Sequence, residues 1–489
     1  MQDDRLGRRH PLVQLFLDNW VYIAIAILVW QLPYLLGDYF DQGIRPRRPA
    51  GNQPVFWMGV FIELYILMIL AMSYNLVFGF GGIISFGHAL FFGTGVYVII
   101  IFLNDFAVTI PQTIVVALAL SALLGLLASV AAFRIKGVYF AMFTLALSQV
   151  FFELSRVNLF KSLTEGDDGR TITGLPEWIN PIQNRLGFYY IAAFLMGFTY
   201  FTIRRLMNSP SGRAILAIRD NEQRAQTMGY NVALYKTLVI VASSLFATLA
   251  GILHALFVRQ ADPTQLGLNR TVDPLFMTII GGVGTNPGPA IGAFIIHMGE
   301  EFFRKPDLEV DLNFILFHIR GTVDTVEIWR LVLGIAFILI VLFIPYGIIG
   351  EMNRLWLQIR RWFRIYVYDR LLRANPAVAE RMQFITGESP AYALALAERS
   401  RGASLLAWAR EHPGPATLSI ALVVAGLGGL LNWQVQTFFS LLLFSLLIVV
   451  PLTVAIWLAR NHRLLSERLR ETLDTMESRL QTTFGFLRR

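Results

Sequence analysis

The chain has 489 residues, 55% hydrophobic and 15% charged, with no cysteine and a formal net charge of +8. A mean hydropathy of +0.56 is too apolar for an ordinary soluble domain, and the missing thiols exclude disulfides, cysteine-ligated zinc, iron–sulfur clusters and cysteine nucleophiles. The positive balance does not indicate nucleic acid, because the arginines flank apolar runs, where membrane orientation and anionic headgroups account for them.

In chain order, Arg5, Arg8 and Arg9 precede an apolar run at 20–36 that no small-residue cleavage pattern follows, so the run reads as a retained signal anchor. Further runs occupy 57–78, 83–103, 109–133, 138–157, 188–206, 234–258, 328–349, 415–431 and 436–458. A helix of roughly 20 residues crosses a hydrocarbon layer of about 30 Å, so the expected fold class is all-α, a polytopic transmembrane helical bundle. Residues 272–298 are equally apolar but are interrupted by GGVGTNPGP at 281–289, which predicts two short half-helices. With the amino terminus inside, Arg134, Lys136, the loop 204–236, the arginine-rich stretch from Arg354 and the tail after Arg460 all fall on the cytoplasmic side. Only Arg45, Arg47 and Arg48 fall on the wrong side of that rule. Both termini are therefore expected in the cytoplasm, and the tail, with Leu465, Leu469, Leu473, Met476 and Leu480, is expected to be an amphipathic helix.

Several chemistries lack their sequence signatures. There is no GxxxxGK[ST] phosphate loop, HExxH, GxSxG or GxGxxG, and ionisable residues within the spans (Glu63, His88, Glu153) are too few for an obvious ion relay. No catalytic residue or metal site is assigned. The segment 75–98, NLVFGFGGIISFGHALFFGTGVYV, instead concentrates Gly79, Gly81, Gly82, Gly87, Gly93 and Gly95. Each weakens a helix by roughly 1 kcal/mol relative to alanine. Such density serves either close helix packing or a broken helix whose freed backbone lines a solute path. Residues 281–294 have the same character, and paired interruptions in two halves are the mark of an internal repeat, although no residue-level repeat is evident. The candidate path residues are Gly79, Gly81, Gly82, Ser85, His88, Gly281, Gly282 and Gly284. His88 either satisfies a backbone carbonyl or donates to a substrate carboxylate or amide. The loop 209–231 opens with Ser209-Pro210-Ser211, a helix-start signal, and Gly229 closes it. Its charged face suits either a helix lying on the membrane or one offered to a soluble partner.

These two motifs, together with GVYFAMFTLALSQ at 137–149 and EGDDGRTITG at 165–174, resemble the branched-chain amino acid type permeases of ABC importers, a family that includes urea and amide permeases. The resemblance covers about 55–350. It implies a sister permease, two ATP-binding cassette ATPase subunits and a periplasmic solute-binding protein, with ATP used by those partners and no cofactor or enzymatic activity on this chain. The helix 211–229 is then similar to the coupling helix that docks on the ATPase, with Ser211, Gly212, Arg213, Arg219, Asp220, Asn221, Glu222 and Gly229 in it. Family members commonly carry a second glycine where this chain has Glu165. The organisation expected is an anchor and external loop at 1–54, a permease domain at 55–350, a cytoplasmic arginine-rich linker or subdomain at 351–414, a two-helix membrane hairpin at 415–459 and a cytoplasmic helix at 460–489. The implied function is inner-membrane import of branched-chain amino acids, with urea or short amides next. A membrane sensor or an ion-coupled secondary transporter is the alternative of another class.

Overall fold

The computed structural model describes residues 11–44, 52–303 except 107, 136, 158–160 and 173, the strand pair 309–322 except 315–316, and 333–334, 337–338, 340, 342 and 347–352. The chain divides into two units, Met1–Gly350 and Glu351–Arg489, and the architecture here is that of the first. The expected spans at 415–431 and 436–458, the linker and the tail helix lie outside the described residues, and the expected span at 328–349 is described only in short helical pieces.

Helices α1 (Pro11–Phe40), α2 (Gln53–Asn75), α3 (His88–Asp105), α4 (Ile110–Arg134) and α5 (Val138–Leu154) follow the apolar runs. After α6 (Lys161–Thr164) come α7 (Arg185–Asn208), α8 (Pro210–Asp220), α9 (Glu222–Thr227), α10 (Val232–Val258), α11 (Asn269–Gly281) and α12 (Gly288–Phe303). Among the described residues five helical stretches, Gln53–Phe80, His88–Asp105, Ile110–Arg134, Arg185–Asn208 and Val232–Val258, are long and apolar enough to span a membrane. The run expected from residue 83 begins its helix only at His88, because the backbone between is irregular. The expected run at 20–36 lies within the longer α1.

α10 is the hub, packed against α2, α3 and α4. Against α4 it meets a stripe of small buried residues, Ala117, Ser121, Gly125, Ala128 and Ala132. Small residues let backbones approach, and hydroxyls then bond across the seam. Thr248 bonds Ser121 Oγ at 2.6 Å and Ser244 donates to the Ser121 carbonyl at 3.2 Å. A Cβ on Gly125 would lie 2.6 Å from Ser244 Oγ. The opposite face of α4, with Val115, Leu123, Leu127 and Val130, is exposed in the isolated chain, as suits lipid or a neighbouring helix.

α1 is attached through a backbone defect. Pro33 lies inside it and has no N–H to give the carbonyl four residues earlier. That carbonyl belongs to Val29, and Tyr189 Oη of α7 donates to it at 2.9 Å. Tyr189 also shares a 2.8 Å hydrogen bond with Tyr65 of α2, so one phenol joins three helices. Beyond the helices, the described residues include two short antiparallel ladders. Strands β1 (Arg170–Thr171) and β2 (Gln260–Ala261) pair Arg170 with Ala261, and β3 (Glu309–Phe314) and β4 (Phe317–Thr322) form a hairpin whose ladder runs from Glu309–Thr322 to Phe314–Phe317. Neither ladder was expected, although Val310, Leu312 and Phe314 alternate with polar neighbours as strand residues do.

Replacing Tyr189 with phenylalanine strands both the Val29 carbonyl and the Tyr65 hydroxyl. Tyr189→Phe should therefore cost about 1–3 kcal/mol, read as a lower thermal midpoint in detergent, whereas Tyr190→Phe, at an exposed bond to the Trp30 carbonyl, should cost less.

Candidate functional site

Both glycine-rich stretches break their helices. After Asn75, α2 continues as a wider π turn over Leu76–Phe80, and the chain then leaves the helix at Gly81 and Gly82, the latter at φ +65°. The last turn is closed by Gly81 N–H donating to the Leu76 carbonyl and Ile83 N–H to that of Val77, each at 3.0 Å. Residues 81–87 then run back alongside α2 until His88 reaches Ser73, a return of about 10 Å at 1.5 Å per residue.

Such a return exposes backbone that an apolar bundle cannot hydrate, so side chains must satisfy it. Gly87 has no side chain with which to cap α3. Thr271 Oγ1 of α11 accepts from Ala89 N–H at 2.9 Å in its place. Thr144 Oγ1 of α5 accepts from Phe86 N–H at 3.0 Å. A second irregular segment enters from the opposite end. β2 lies beside β1, to which Asn104 near the end of α3 is bonded, yet by Leu266 the chain has reached Gly93 of α3, about 16 Å along that helix. Ser148, one turn after Thr144, donates to the Leu266 carbonyl at 3.3 Å. One face of α5 thus serves both re-entrant segments.

His88 is buried, with Nε2 at 3.0 Å from Ser243 Oγ and 3.3 Å from Ser73 Oγ. Its partners are hydroxyls, not a backbone carbonyl, and Nδ1 has no partner among the described residues. His88, Ser85 and Thr144 line a cavity of only about 10 Å³, which is closed to any amino acid.

The second interruption separates α11 from α12 at 282–287, as two half-helices. The two breaks meet. Asn75 Nδ2 donates to the Thr285 carbonyl and Gly284 N–H donates to Asn75 Oδ1, both at 2.9 Å. Arg219, from α8, donates through its terminal nitrogen to the Gly79 carbonyl at 2.9 Å. The candidate path residues therefore fall into four groups. Gly79, Gly82 and Gly284 surround Arg219; Ser85 and His88 line the small cavity; Gly81 and Gly281 serve packing, with a Cβ on Gly81 falling 2.9 Å from Val239 and one on Gly281 striking the Gly288 carbonyl. Gly282, at φ +129°, makes the turn out of α11.

The charged loop is two helices, not the single one expected over 211–229. Ser209 caps α8 by accepting from Gly212 N–H at 3.2 Å. Asn221 leaves the helix at φ −158° and caps α9 by accepting from Arg224 N–H at 2.9 Å. Asparagine side chains compete with the helical backbone in this way. Gly212, Ala214, Ile215 and Ile218 are buried, Ser211 and Glu222 are half-buried, and Arg213, Asp220, Asn221 and Gly229 are exposed. Glu222 is tied to Lys236 of α10 at 3.0 Å.

At the other end, the loop 165–174 is fastened by Arg170, which pairs with Asp105 and donates to the Leu163 carbonyl at 2.9 Å. Glu165 stands at φ +60°, a left-handed conformation that glycine adopts without strain. Here the glutamate takes it and reaches Arg170 at 3.6 Å. Nearby, Arg156 holds Asp167 through hydrogen bonds of 2.6 and 3.2 Å, which keep that carboxyl below its ordinary range. These two residues and Phe152, Gln260, Asp262 and Thr264 line an open groove of about 470 Å³.

A multi-pass helical membrane protein whose broken helices meet beneath a charged helix pair belongs to the transport class. The chain belongs to the family described as the permease component of branched-chain amino acid transport systems, whose model matches residues 57–344. It is 24% identical over 292 residues to the high-affinity branched-chain amino acid transport system permease protein LivM of Escherichia coli, covering 54% of this chain and 66% of that protein, just under two thirds of its length. A probable branched-chain amino acid transport permease protein LivM of Methanocaldococcus jannaschii is 22% identical over 331 residues, 61% of this chain and 92% of that one. The ribose import permease protein RbsC of Haemophilus influenzae is 33% identical over 97 residues, 19% of this chain and 30% of that one. No solved structure matches.

Asn75, Thr144, Ser148, Ser243 and Thr271 were not singled out in the sequence. The one local signal was Thr144 and Ser148 at i and i+4, the first polar residues of a span that is apolar up to Thr144. Thr144→Val keeps the shape but strands Phe86 N–H, and should cost about 1–3 kcal/mol in detergent unfolding, with Thr144→Ser restoring most of it.

Proposed function

We propose that this chain is the membrane-spanning permease of an ATP-driven importer that carries branched-chain amino acids inward across a cell inner membrane. The observation that carries the reading is the family match over 57–344 on a chain with no phosphate loop of its own. Energy then comes from ATP hydrolysed on two partner ATPase subunits, and a sister permease completes the membrane portion. In this reading α8 and α9 face the cytoplasm and form the coupling element, with exposed Arg213, Asp220 and Arg224 turned towards the ATPase. The groove at the far end, rimmed by Arg156, Asp167 and Asp262, faces the periplasm and receives the solute-binding protein. The path runs past His88 and the two helix breaks, closed in this conformation and opened by movement of the coupling element. The extension after residue 350 is an accessory module fused to the permease.

The test is reconstitution. The chain, co-expressed with its neighbouring transport subunits and placed in liposomes with ATP inside, should accumulate labelled leucine, isoleucine or valine when the binding protein is added outside. Uptake that persists without the ATPase subunits overturns the ATP-driven reading; uptake of urea in preference to leucine overturns the solute. Charge reversal at Arg213 and Asp220 together should reduce co-purification of the ATPase several-fold while the chain still enters the membrane.

A further inference from the structure

Arg219 was expected to be one more charge on the surface of the coupling element. The residue is exposed, as expected, but its guanidinium has a defined seat. The side chain is 35% exposed, and its terminal nitrogen donates to the Gly79 carbonyl 140 residues away in sequence. The other side of the guanidinium is held by Asp220 Oδ1, at 3.2 Å from Nε and 3.1 Å from the second terminal nitrogen.

The seat is made of backbone from both interrupted helices. A Cβ on Gly82 would lie 2.6 Å from Arg219 Cγ, and one on Gly284 would lie 3.1 Å from the guanidinium and 3.2 Å from the Gly79 carbonyl. Both glycines have positive φ, +65° and +72°, so side chains are excluded there by conformation as well as by space. A Cβ on Gly79 would strike the Asn75 side chain and come within 2.5 Å of the Gly284 nitrogen. Asn75 completes the arrangement by spending both ends of its amide on the opposite break, one on the Thr285 carbonyl and one on Gly284 N–H. One arginine and one asparagine therefore join three segments far apart in sequence: the end of α2, the turn between α11 and α12, and α8.

Two features make this junction suited to switching. Its bonds are few, polar and directional, and the Arg219–Gly79 bond is the one that ties α8 to the joined breaks, so moving α8 by a few ångströms breaks it outright and leaves the two Asn75 bonds to hold the breaks alone. The bonded carbonyl also sits at the end of a helix, where a cation gains from the unpaired carbonyls and the helix dipole; withdrawing Arg219 removes that gain and leaves the last turn free to shift. Coupling between sites needs an element with two arrangements that both sites bias, and the joined breaks meet α8 through Arg219.

We propose that Arg219 is a positioning residue that transmits movement of α8 to the two helix breaks, and that the Asn75 clamp between the breaks is the cytoplasmic closure of the path, released when Arg219 is drawn away. This rests on the importer reading above. Lysine reproduces the function only in part, because it keeps the charge but lacks the planar fork that grips Gly79 on one side and Asp220 on the other.

The experiment uses the full importer in liposomes and exploits the absence of native cysteine. Asn75→Cys combined with Thr285→Cys places a thiol on each side of the clamp. On oxidation the pair should cross-link and uptake should stop, while ATP hydrolysis continues; reductant should restore uptake, which shows that the protein is folded. Arg219→Gln should lower the amount of leucine transported per ATP by about tenfold, with subunit assembly intact, and Arg219→Lys should recover only part of it. A cross-linked pair that transports as fast as its reduced form overturns the closure. An Arg219→Gln importer that loses uptake and hydrolysis in equal proportion shows a structural role and overturns transmission. Absence of ATP-driven uptake with the unaltered chain is a different result and overturns the importer reading itself.

Discussion

Backbone that leaves the helix inside an apolar bundle has no water to bond with, and every such N–H and C=O must find a partner in the protein. Most of the internal architecture follows from that constraint. The π turn at Leu76–Phe80 and the irregular return to His88 are held because Thr144, Thr271 and the closing bonds of Gly81 and Ile83 supply partners. The descent from β2 to Leu266 is held by Ser148. Even the attachment of α1 obeys it, since Pro33 frees a carbonyl and Tyr189 fills it.

The same constraint explains why the two breaks meet. An interrupted helix ends in unpaired carbonyls and begins with unpaired amides, and two interruptions placed together can satisfy one another through a single amide side chain. Asn75 does this, and Arg219 supplies the remaining donor from outside the bundle. A site built on helix ends responds to small displacements, because the bonds there are not backed by the continuous ladder of a helix. Transport proteins need irregular backbone where a solute must pass, and the cost of keeping that backbone satisfied fixes where threonine, serine and asparagine must stand.

The glycines divide accordingly. Gly81 and Gly281 permit close packing, which is the plainer of the two readings their density allowed, whereas Gly82 and Gly284 make room for an arginine and Gly79 for the Asn75 amide. Composition alone cannot separate these uses, since both require the absence of a Cβ. Glu165 illustrates the converse. It holds a left-handed conformation that glycine would adopt freely, and its carboxylate gains an ion pair with Arg170 that glycine could not make.

What the sequence determined by itself is what depends on local chain properties. The apolar runs between residues 20 and 258 gave α1 to α5, α7 and α10, the glycine–proline interruption at 281–289 gave the two half-helices, Ser209-Pro210 gave the start of α8, and four motifs in order gave the family. Only the tertiary structure decided what depends on residues far apart in the chain. Asn221 splitting the charged loop was legible only as one polar residue among several, and the strands at 309–322 were short against a helical background. That Asn75 reaches Thr285, that Thr271 caps α3, and that Arg219 turns inward to Gly79 cannot be read from spacing. Their partners lie 210, 182 and 140 positions away, and a hydrogen bond of about 3 Å is set by how helices pack, which no local pattern encodes.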